Sequence, residues 1–207
     1  MVTPEREVRA PRQQRTRDAW ERVLEAGVAL LTEGGLDALT VSAVCRRAGI
    51  SAPSLYARVD GRAGLVAAVY EHVMLRIRAS DEAAVRALPD ASAPVAVRIE
   101  AVVDAAVAQF RDHAALLRPV IAASLQDDLI HRRGVDEARR LIDALSAALA
   151  LGEEAGRDIA TMIFSELVMS TMYGPDFASP FAPDDESLRR RLVRMAAARA
   201  GVADAGR

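Results

Sequence analysis

Apolar residues recur at helical spacing along most of the chain. Between residues 16 and 32 they stand three and four positions apart, which places them on one face of a helix. Further segments with the same period follow, separated by short stretches that carry Gly or Pro. Aromatic residues make up only 4% of the chain. The pattern predicts an all-α protein of about nine helices.

The predicted helices after residue 60 cover residues 62–80, 95–111, 114–125, 135–150, 153–173 and 186–200. Pro119 should kink the third of these or begin a new first turn there, because proline cannot donate a backbone hydrogen bond. Residues 126–133 are polar and are predicted to form a loop or a frayed turn. Residues 176–185 contain two prolines and are also predicted to lie outside the long helices.

Two short helices joined by a tight turn are predicted between residues 40 and 57. Thr40 can cap the first helix with its hydroxyl, and Gly49 can end it in the left-handed conformation. Ser51 can cap the second helix, and Pro53 lies in its first turn, where a missing amide proton costs little. The segment therefore has the organisation of a helix-turn-helix.

The exposed positions of the second short helix carry small side chains. These are Ala52, Pro53, Ser54 and Ala57. Small residues permit close approach to another surface. Tyr56, Arg58 and Arg62 stand beside them and can bind phosphate through a hydroxyl or a guanidinium group. The combination suits a groove of double-stranded DNA.

The run TVSAVCRRAGISAPSLYARVDGRAGL resembles the helix-turn-helix of the tetracycline-repressor (TetR) family. The resemblance covers roughly residues 16–70. It implies that Thr40, Tyr56, Arg58 and Arg62 occupy positions that commonly touch phosphates. The chain departs from the family pattern at three positions, with Arg58 and Arg62 where the family often has His and Lys, and Val59 in place of an aromatic residue.

Helix-turn-helix docking directs the start of the second helix toward base edges in the major groove. This geometry points to Ser51, Ala52, Pro53 and Ser54, with Ser42 reaching from the preceding helix. Ala52 and Pro53 can offer only shape and apolar contact, for instance with a thymine methyl group. We therefore expect few direct hydrogen bonds to bases from this helix.

Basic charge is concentrated at the start of the chain, although the net charge is −2. Residues 1–65 contain ten Arg against eight acidic residues, and the remainder contains seventeen against twenty-one. Such a local excess can neutralise phosphates. Residues 1–14 are predicted to form a disordered basic arm. This arm could enter a minor groove or remain a solvated tail.

Composition argues against several other classes of protein. The single cysteine, Cys45, cannot form an internal disulfide, which fits a cytoplasmic protein. The sequence shows neither a signal peptide nor an apolar run of about 20 residues. We therefore expect no membrane location. The histidines His72, His113 and His131 lack metal-ligand spacing, and no catalytic motif is present. We therefore expect no enzyme activity, cofactor or metal site.

The helix at residues 153–173 is apolar on nearly every face, which predicts burial against a second copy of the chain. The last helix is amphipathic and could complete a four-helix dimer contact. Glu166 is isolated in the apolar run, so it either pairs with an Arg or lines a pocket. A homodimer is the predicted assembly.

A ligand pocket is predicted among the bulky or polar groups on these apolar helices. Its proposed wall is Phe110, His113, Leu117, Met162, Glu166, Met169 and Tyr173. Core packing is the alternative for each residue. The apolar majority predicts a small hydrophobic effector, and a cationic one if Glu166 has no Arg partner.

These features together predict a homodimeric one-component transcriptional repressor that binds palindromic DNA and is released by a small molecule. Residues 1–14 would form the arm, 15–62 the DNA-binding domain, and 63–207 the ligand-binding and dimerisation domain. One alternative is a ligand-independent regulator or activator whose second domain only dimerises. Another is a helical interaction protein with a vestigial DNA-binding segment.

Overall fold

The computed structural model describes residues 12–178 and 184–202 of the chain. In these residues it contains nine helices of five or more residues, one four-residue helical turn and no strand. In chain order they are α1 (Arg12–Ala38), α2 (Val41–Ala48), α3 (Ala52–Tyr56), α4 (Gly61–Arg86), α5 (Val95–Asp112), α6 (Ala114–Ser124), α7 (Asp128–Leu149), α8 (Glu153–Tyr173), α9 (Pro175–Ala178) and α10 (Asp185–Arg199). The predicted all-α fold is confirmed. None of the described helices is both long enough and apolar enough to span a membrane.

The chain divides into two compact units between His72 and Val73, inside α4. The sequence placed this boundary after Arg62. Leu65 and Val69, from the first part of α4, are fully buried. Val69 lies directly against Gly27 of α1. The first unit therefore includes the beginning of α4 as a fourth helix.

Helix α1 begins at Arg12, so residues 12–14, which the sequence assigned to the disordered arm, are helical. Residues 1–11 of that predicted arm lie outside the described residues. Near its other end α1 is interrupted at Gly34 and Gly35, and Gly35 has φ +67°. One further helical turn follows this interruption.

The second unit is built around a buried apolar cluster contributed by α5, α7, α8 and α10. Its most deeply buried members include Val102, Leu149, Ile163 and Leu192. Near the end of α5, the Phe110 ring packs edge-on against Phe164, with 6.0 Å between ring centroids. This cluster holds the four helices together.

The predicted loop at residues 126–133 is wrong, because α7 already begins at Asp128. The Asp127 carboxylate caps the helix by accepting the backbone N–H groups of Leu129 and Ile130, at 2.9 and 3.0 Å. The Ile130 side chain is buried. An N-cap and one buried anchor therefore make this polar stretch helical.

Arg98 is almost completely buried at the start of α5, with 6% of its surface exposed. Its guanidinium donates to the carbonyl oxygen of Leu149 at 3.0 Å and to that of Ala91 at 2.8 Å. It also donates to the carbonyl oxygen of Ala93. The side chain thereby fastens the end of α7 to the turn before α5.

Candidate DNA-binding surface and effector cavity

The start of α2 carries two neighbouring hydroxyl groups. Thr40 Oγ1 accepts a hydrogen bond from the backbone N–H of Ala43 at 3.2 Å, as the predicted N-cap should. The Ser42 hydroxyl is exposed and lies 3.3 Å from the Thr40 hydroxyl. Both groups therefore stand at the positive end of the helix dipole, where a phosphate can also bind.

The turn between α2 and α3 depends on Gly49, whose backbone is left-handed with φ 67° and ψ 37°. The backbone N–H groups of Gly49 and Ile50 both donate to the carbonyl oxygen of Cys45. The Cys45 side chain is buried, as are Val44 and Ala48 on the same face. This buried face sets the position of α2 beneath the turn.

Helix α3 presents a face of small and polar side chains. Ser51 Oγ accepts the backbone N–H of Ser54 at 3.4 Å and caps the helix. Leu55 is fully buried, which anchors the opposite face. Pro53 and Ser54 are exposed, and Tyr56 has 55% of its surface exposed. Ala52 is half-buried and Ala57 is exposed.

Arg58 follows α3 and lies against the Trp20 ring, with 5.3 Å between the guanidinium carbon and the ring centroid. Its Nη2 also donates to the carbonyl oxygen of Thr16 at 3.4 Å. A cation over an aromatic face is attracted by the ring quadrupole. Arg58 is exposed and adds positive charge beside α3.

Arg62 is exposed, and it makes two hydrogen bonds to backbone carbonyls of the first unit. Its Nε donates to the carbonyl oxygen of Leu39 at 3.2 Å, and its Nη2 donates to that of Leu36 at 2.6 Å. The carbonyl of Leu36 belongs to the last turn of α1, and that of Leu39 to the link between α1 and α2. The sequence assigned Arg62 to phosphate alone and missed this second role.

A bidentate ion pair joins α1 to α2. Both terminal nitrogens of Arg47 donate to the Glu33 carboxylate, each at 2.6 Å. This hydrogen bonding holds the pKa of Glu33 below its ordinary value. Glu33 and Arg47 therefore link the ends of the two helices on the exposed surface.

Glu21, Glu25 and His72 bring their donor atoms within 4.8 Å of one another. His72 Nε2 lies 2.8 Å from Glu25 Oε1, so an imidazole–carboxylate hydrogen bond connects α4 to α1. Oxygen and imidazole ligands of this kind could hold a divalent cation. His72 is far from the two glutamates in the sequence, so the sequence did not indicate that the three side chains lie together.

In the second unit, a cavity of about 150 Å³ lies between α5, α6, α8 and α10. Phe110, one of the predicted pocket residues, lines it together with Val107, Leu167 and Leu188. Arg118 also lines the cavity, and its Nε donates to the carbonyl oxygen of Thr171 at 2.8 Å. The cavity thus combines apolar walls with two arginines, Arg111 and Arg118, and one acid, Asp185.

The other six predicted pocket residues lie in different parts of the second unit. His113 occupies the junction of α5 and α6, and Leu117 and Met162 pack against the apolar core. Glu166 forms an ion pair with Arg191 at 2.6 Å. Met169 and Tyr173 are 44% and 60% exposed. The single chain therefore does not enclose all seven residues around one cavity.

A family model matches the helix-turn-helix part of the chain. The family model described as bacterial regulatory proteins, tetR family, matches residues 23–69. No curated protein matches the chain. The matched residues contain α2, the Gly49 turn and α3, which were described above from their geometry.

Solved structures share the fold over most of the chain at low identity. A TetR-like transcriptional regulator from Rhodococcus sp. RHA1 aligns with a TM-score of 0.63 and 17% identity, covering 91% of this chain and 96% of that one. GusR from Salmonella enterica aligns at 0.67 and 14%, covering 92% and 98%. The transcriptional regulator FadR from Bacillus subtilis, in complex with stearoyl-CoA, aligns at 0.59 and 14%, covering 86% and 97%. Residues 23–69, which contain the helix-turn-helix, thus match the tetR family of bacterial regulatory proteins.

Proposed function

We propose that the protein is a transcriptional repressor that binds palindromic operator DNA as a homodimer and is released by a small-molecule effector. The observation that carries the proposal is the exposed face of α3. Leu55 anchors this helix from below, while Pro53, Ser54 and Tyr56 remain open to a partner. A short helix held in this way can enter a major groove.

In this proposal the contacts divide into two kinds. Ser51, Ala52, Pro53 and Ser54 face base edges, with Ser42 beside them. Thr40, Tyr56, Arg58 and Arg62 bind the phosphate backbone. Phosphate contacts fix the register on the duplex, and the base-edge contacts supply sequence information. Because two of the four base-facing side chains lack hydrogen-bonding groups, shape contributes a large share of the specificity.

The homodimer is supported by apolar side chains that the single chain leaves exposed near the end of α8. Met169, Tyr173 and Phe177 are 44%, 60% and 65% exposed. Tyr173 and Phe177 stack on each other, with 4.9 Å between ring centroids. Packing α8 and α10 against a second copy would cover this surface. A two-fold axis would then place the two copies of α3 on a palindromic site.

Release by an effector is supported by the cavity between α5, α6, α8 and α10. Its volume of about 150 Å³ is below the roughly 300 Å³ of common ligand pockets, so binding requires some opening of the walls. FadR from Bacillus subtilis was solved with stearoyl-CoA, which supports a small molecule as the effector of this fold. The effector would favour a separation of the α3 helices that no longer matches the operator. Linkage then requires that DNA weaken effector binding equally.

The first test is selection of random duplex DNA by the purified protein at near-physiological salt. The proposal expects enrichment of one palindromic sequence, and the protein would act where that DNA is, in the bacterial cytoplasm. Tyr56→Ala should reduce recovery of bound DNA. Arg139→Ala is the control, because Arg139 is an exposed arginine of the second unit, and it should select the same site.

Absence of enrichment by a folded, dimeric protein would overturn the proposal and favour a protein-interaction role. If a palindrome is enriched but no compound in an effector screen releases the protein from it, the result would favour a ligand-independent regulator. A reporter gene placed behind the selected operator separates the repressor from an activator, because only a repressor lowers its transcription.

A further inference from the structure

A second and smaller cavity lies in the interior of the second unit, between α4, α5 and α7. Its volume is about 20 Å³, and its walls include Phe110, Leu141 and Leu145. Asp81 and Gln109 are the polar residues that line it. About 10–15 Å³ suffices to hold one water molecule. The cavity therefore accepts a group of that size, such as an ammonium.

Asp81 is buried beside this cavity, with 5% of its surface exposed. Its Oδ2 accepts a hydrogen bond from Arg140 Nη2 at 2.9 Å. Its Oδ1 is buried and accepts no hydrogen bond from the described residues. A buried carboxylate oxygen without a donor is costly. Asp81 therefore lines the cavity and carries one unmet acceptor.

The arginine, glutamate and glutamine side chains around Asp81 are already engaged with other partners. Arg140 also donates to Glu137 at 3.1 Å, and Glu137 accepts from Arg78. These side chains form a chain of alternating charges that contains two arginines and two carboxylates. The Gln109 amide donates to the carbonyl oxygen of Ile77 at 3.4 Å and accepts from the Ser80 hydroxyl at 3.2 Å. A donor for Asp81 Oδ1 can thus be supplied by a molecule that enters the cavity.

His113 adds a second acceptor near this site. Its Nε2 is buried and has no hydrogen-bond partner among the described residues. Burial raises the pKa of the Asp81 carboxyl, and the hydrogen bond and charge of Arg140 oppose that rise. In the neutral tautomer that carries its proton on Nδ1, His113 Nε2 accepts a hydrogen bond. In that tautomer Asp81 and His113 together suit a group with several N–H donors.

We propose that the cavity beside Asp81 binds the protonated amine of a small alkylammonium effector, with Asp81 Oδ1 as its main acceptor. This proposal rests on the proposed function, because it names the chemical class of the effector. A carboxylate or phosphate in the same place would face the negative charge of Asp81. The ammonium group is compact and supplies three donors.

Phe110 indicates where the rest of the effector lies. Its side chain lines both this cavity and the larger one of about 150 Å³. A movement of the Phe110 ring would join the two cavities. The alkyl chain would then extend past Phe110 toward Leu167 and Leu188. An apolar body with one cationic end follows from this arrangement, in contrast to the stearoyl-CoA seen with the FadR neighbour.

The test compares ligands of equal length and opposite charge on the full-length protein. Melting temperatures are measured at pH 7 with butyl-, hexyl- and octylammonium chloride, and with sodium butanoate, hexanoate and octanoate. At ten times its Kd, a ligand should raise the melting temperature by about 3–6 °C. The proposal expects this rise with at least one ammonium ion and no comparable rise with the carboxylates.

Two variants locate the binding site. Asp81→Asn keeps the shape of the side chain and removes its charge, and it should weaken ammonium binding by at least about tenfold, the equivalent of 1.4 kcal/mol. Ala105→Leu fills the cavity from α5 and leaves the charges unchanged, and it should also abolish the response. Glu82→Gln is the control, because Glu82 is an exposed acid on the same helix. Its response should equal that of the wild type.

The proposal is overturned if none of the ammonium ions raises the melting temperature of the wild type, or if the matched carboxylate raises it as much. It is also overturned if a folded Asp81→Asn protein keeps the full response. Should that variant fail to fold, Ala105→Leu and the wild-type comparison decide the question.

Operator binding, measured by fluorescence anisotropy on the same samples, separates this proposal from the proposed function. An ammonium ion that binds through Asp81 and leaves the operator bound supports the site and contradicts effector release by that ligand. A carboxylate or CoA ester that releases the operator, with no response to any ammonium ion, supports the proposed function and overturns the ammonium site.

Discussion

The Arg62 guanidinium donates a hydrogen bond from Nη2 to the carbonyl oxygen of Leu36, at 2.6 Å. A second hydrogen bond runs from Nε of the same group to the carbonyl oxygen of Leu39. The side chain therefore holds the link between α1 and α2 from the start of α4. The family resemblance implies that Arg62 contacts a phosphate. The N–H groups of Arg62 that are not used in these two hydrogen bonds would have to make that contact.

Arg62→Ala should lower the free energy of unfolding by about 1.5–3 kcal/mol, because it removes charge-assisted hydrogen bonds from two part-buried carbonyls. Urea denaturation followed by circular dichroism measures this change. Arg62→Lys keeps the charge but lacks the planar fork, so it should recover only part of the loss. An Arg62→Ala protein as stable as the wild type would show that the two hydrogen bonds contribute nothing.

Arg58→Ala should weaken binding to every DNA sequence by a similar factor, because a phosphate contact carries no sequence information. The slope of log K against log salt should fall by about one. Electrophoretic or anisotropy titrations at several salt concentrations measure both effects. Arg139→Ala, far along the chain on α7, should leave the slope unchanged. An unaltered slope for Arg58→Ala would remove Arg58 from the DNA contact.

Gly27 allows α1 to approach α4 closely, because a Cβ at this position would overlap Val69 Cγ2. Gly27→Ala should therefore destabilise the protein by about 1–3 kcal/mol through overpacking. Combining it with Val69→Ala should relieve the overlap, so that the double variant loses less stability than the two single changes together. Purely additive losses in urea denaturation would argue against the contact.

Asp81 should make stability fall as pH rises. Burial is the largest influence on its carboxyl, and it raises the pKa against the opposing hydrogen bond from Arg140 and charge of His113. The folded state thus holds the Asp81 proton more tightly than the unfolded state does. Its favourable contribution is complete below the ordinary pKa of about 3.9 and is lost as pH rises through the raised value.

The measurement compares wild type and Asp81→Asn by urea denaturation from pH 3.5 to 7. As pH rises, the unfolding free energy of the wild type should decrease relative to that of Asp81→Asn. Glu137 serves as an internal contrast, because hydrogen bonds from Arg78 and Arg140 lower its pKa despite its burial. The advantage of wild type over Glu137→Gln should accordingly disappear as pH falls. A parallel pH dependence of wild type and Asp81→Asn would contradict the shift at Asp81.

Met169→Glu should convert the proposed homodimer to monomers and leave the protomer folded. Met169 is 44% exposed in the single chain, so a charge there remains solvated until a second copy covers it. Sedimentation equilibrium and circular dichroism report the two properties. Leu75→Glu is a matched control at another exposed apolar residue, on α4, and it should remain dimeric. A dimeric Met169→Glu protein would exclude this surface from the interface.

Much of the helical architecture could be predicted from local signals in the chain. Thr40, Gly49 and Ser51 act within one helical turn of their own positions, so their capping and turn roles were readable before the tertiary structure was known. Local signals also misled at residues 126–133. There the Asp127 cap and the burial of Ile130 outweighed the polar composition.

By itself, the sequence determined the all-α class, the helix-turn-helix and its resemblance to the tetR family, because periodicity, caps and turns depend on neighbours along the chain. Only the tertiary structure decided which charged side chains are internal. It paired Glu166 with Arg191, buried Arg98 among backbone carbonyls, and left Asp81 Oδ1 buried without a hydrogen-bond partner among the described residues. These relationships join residues that are distant in sequence. Helix packing determines which residues meet, and local sequence patterns do not predict it.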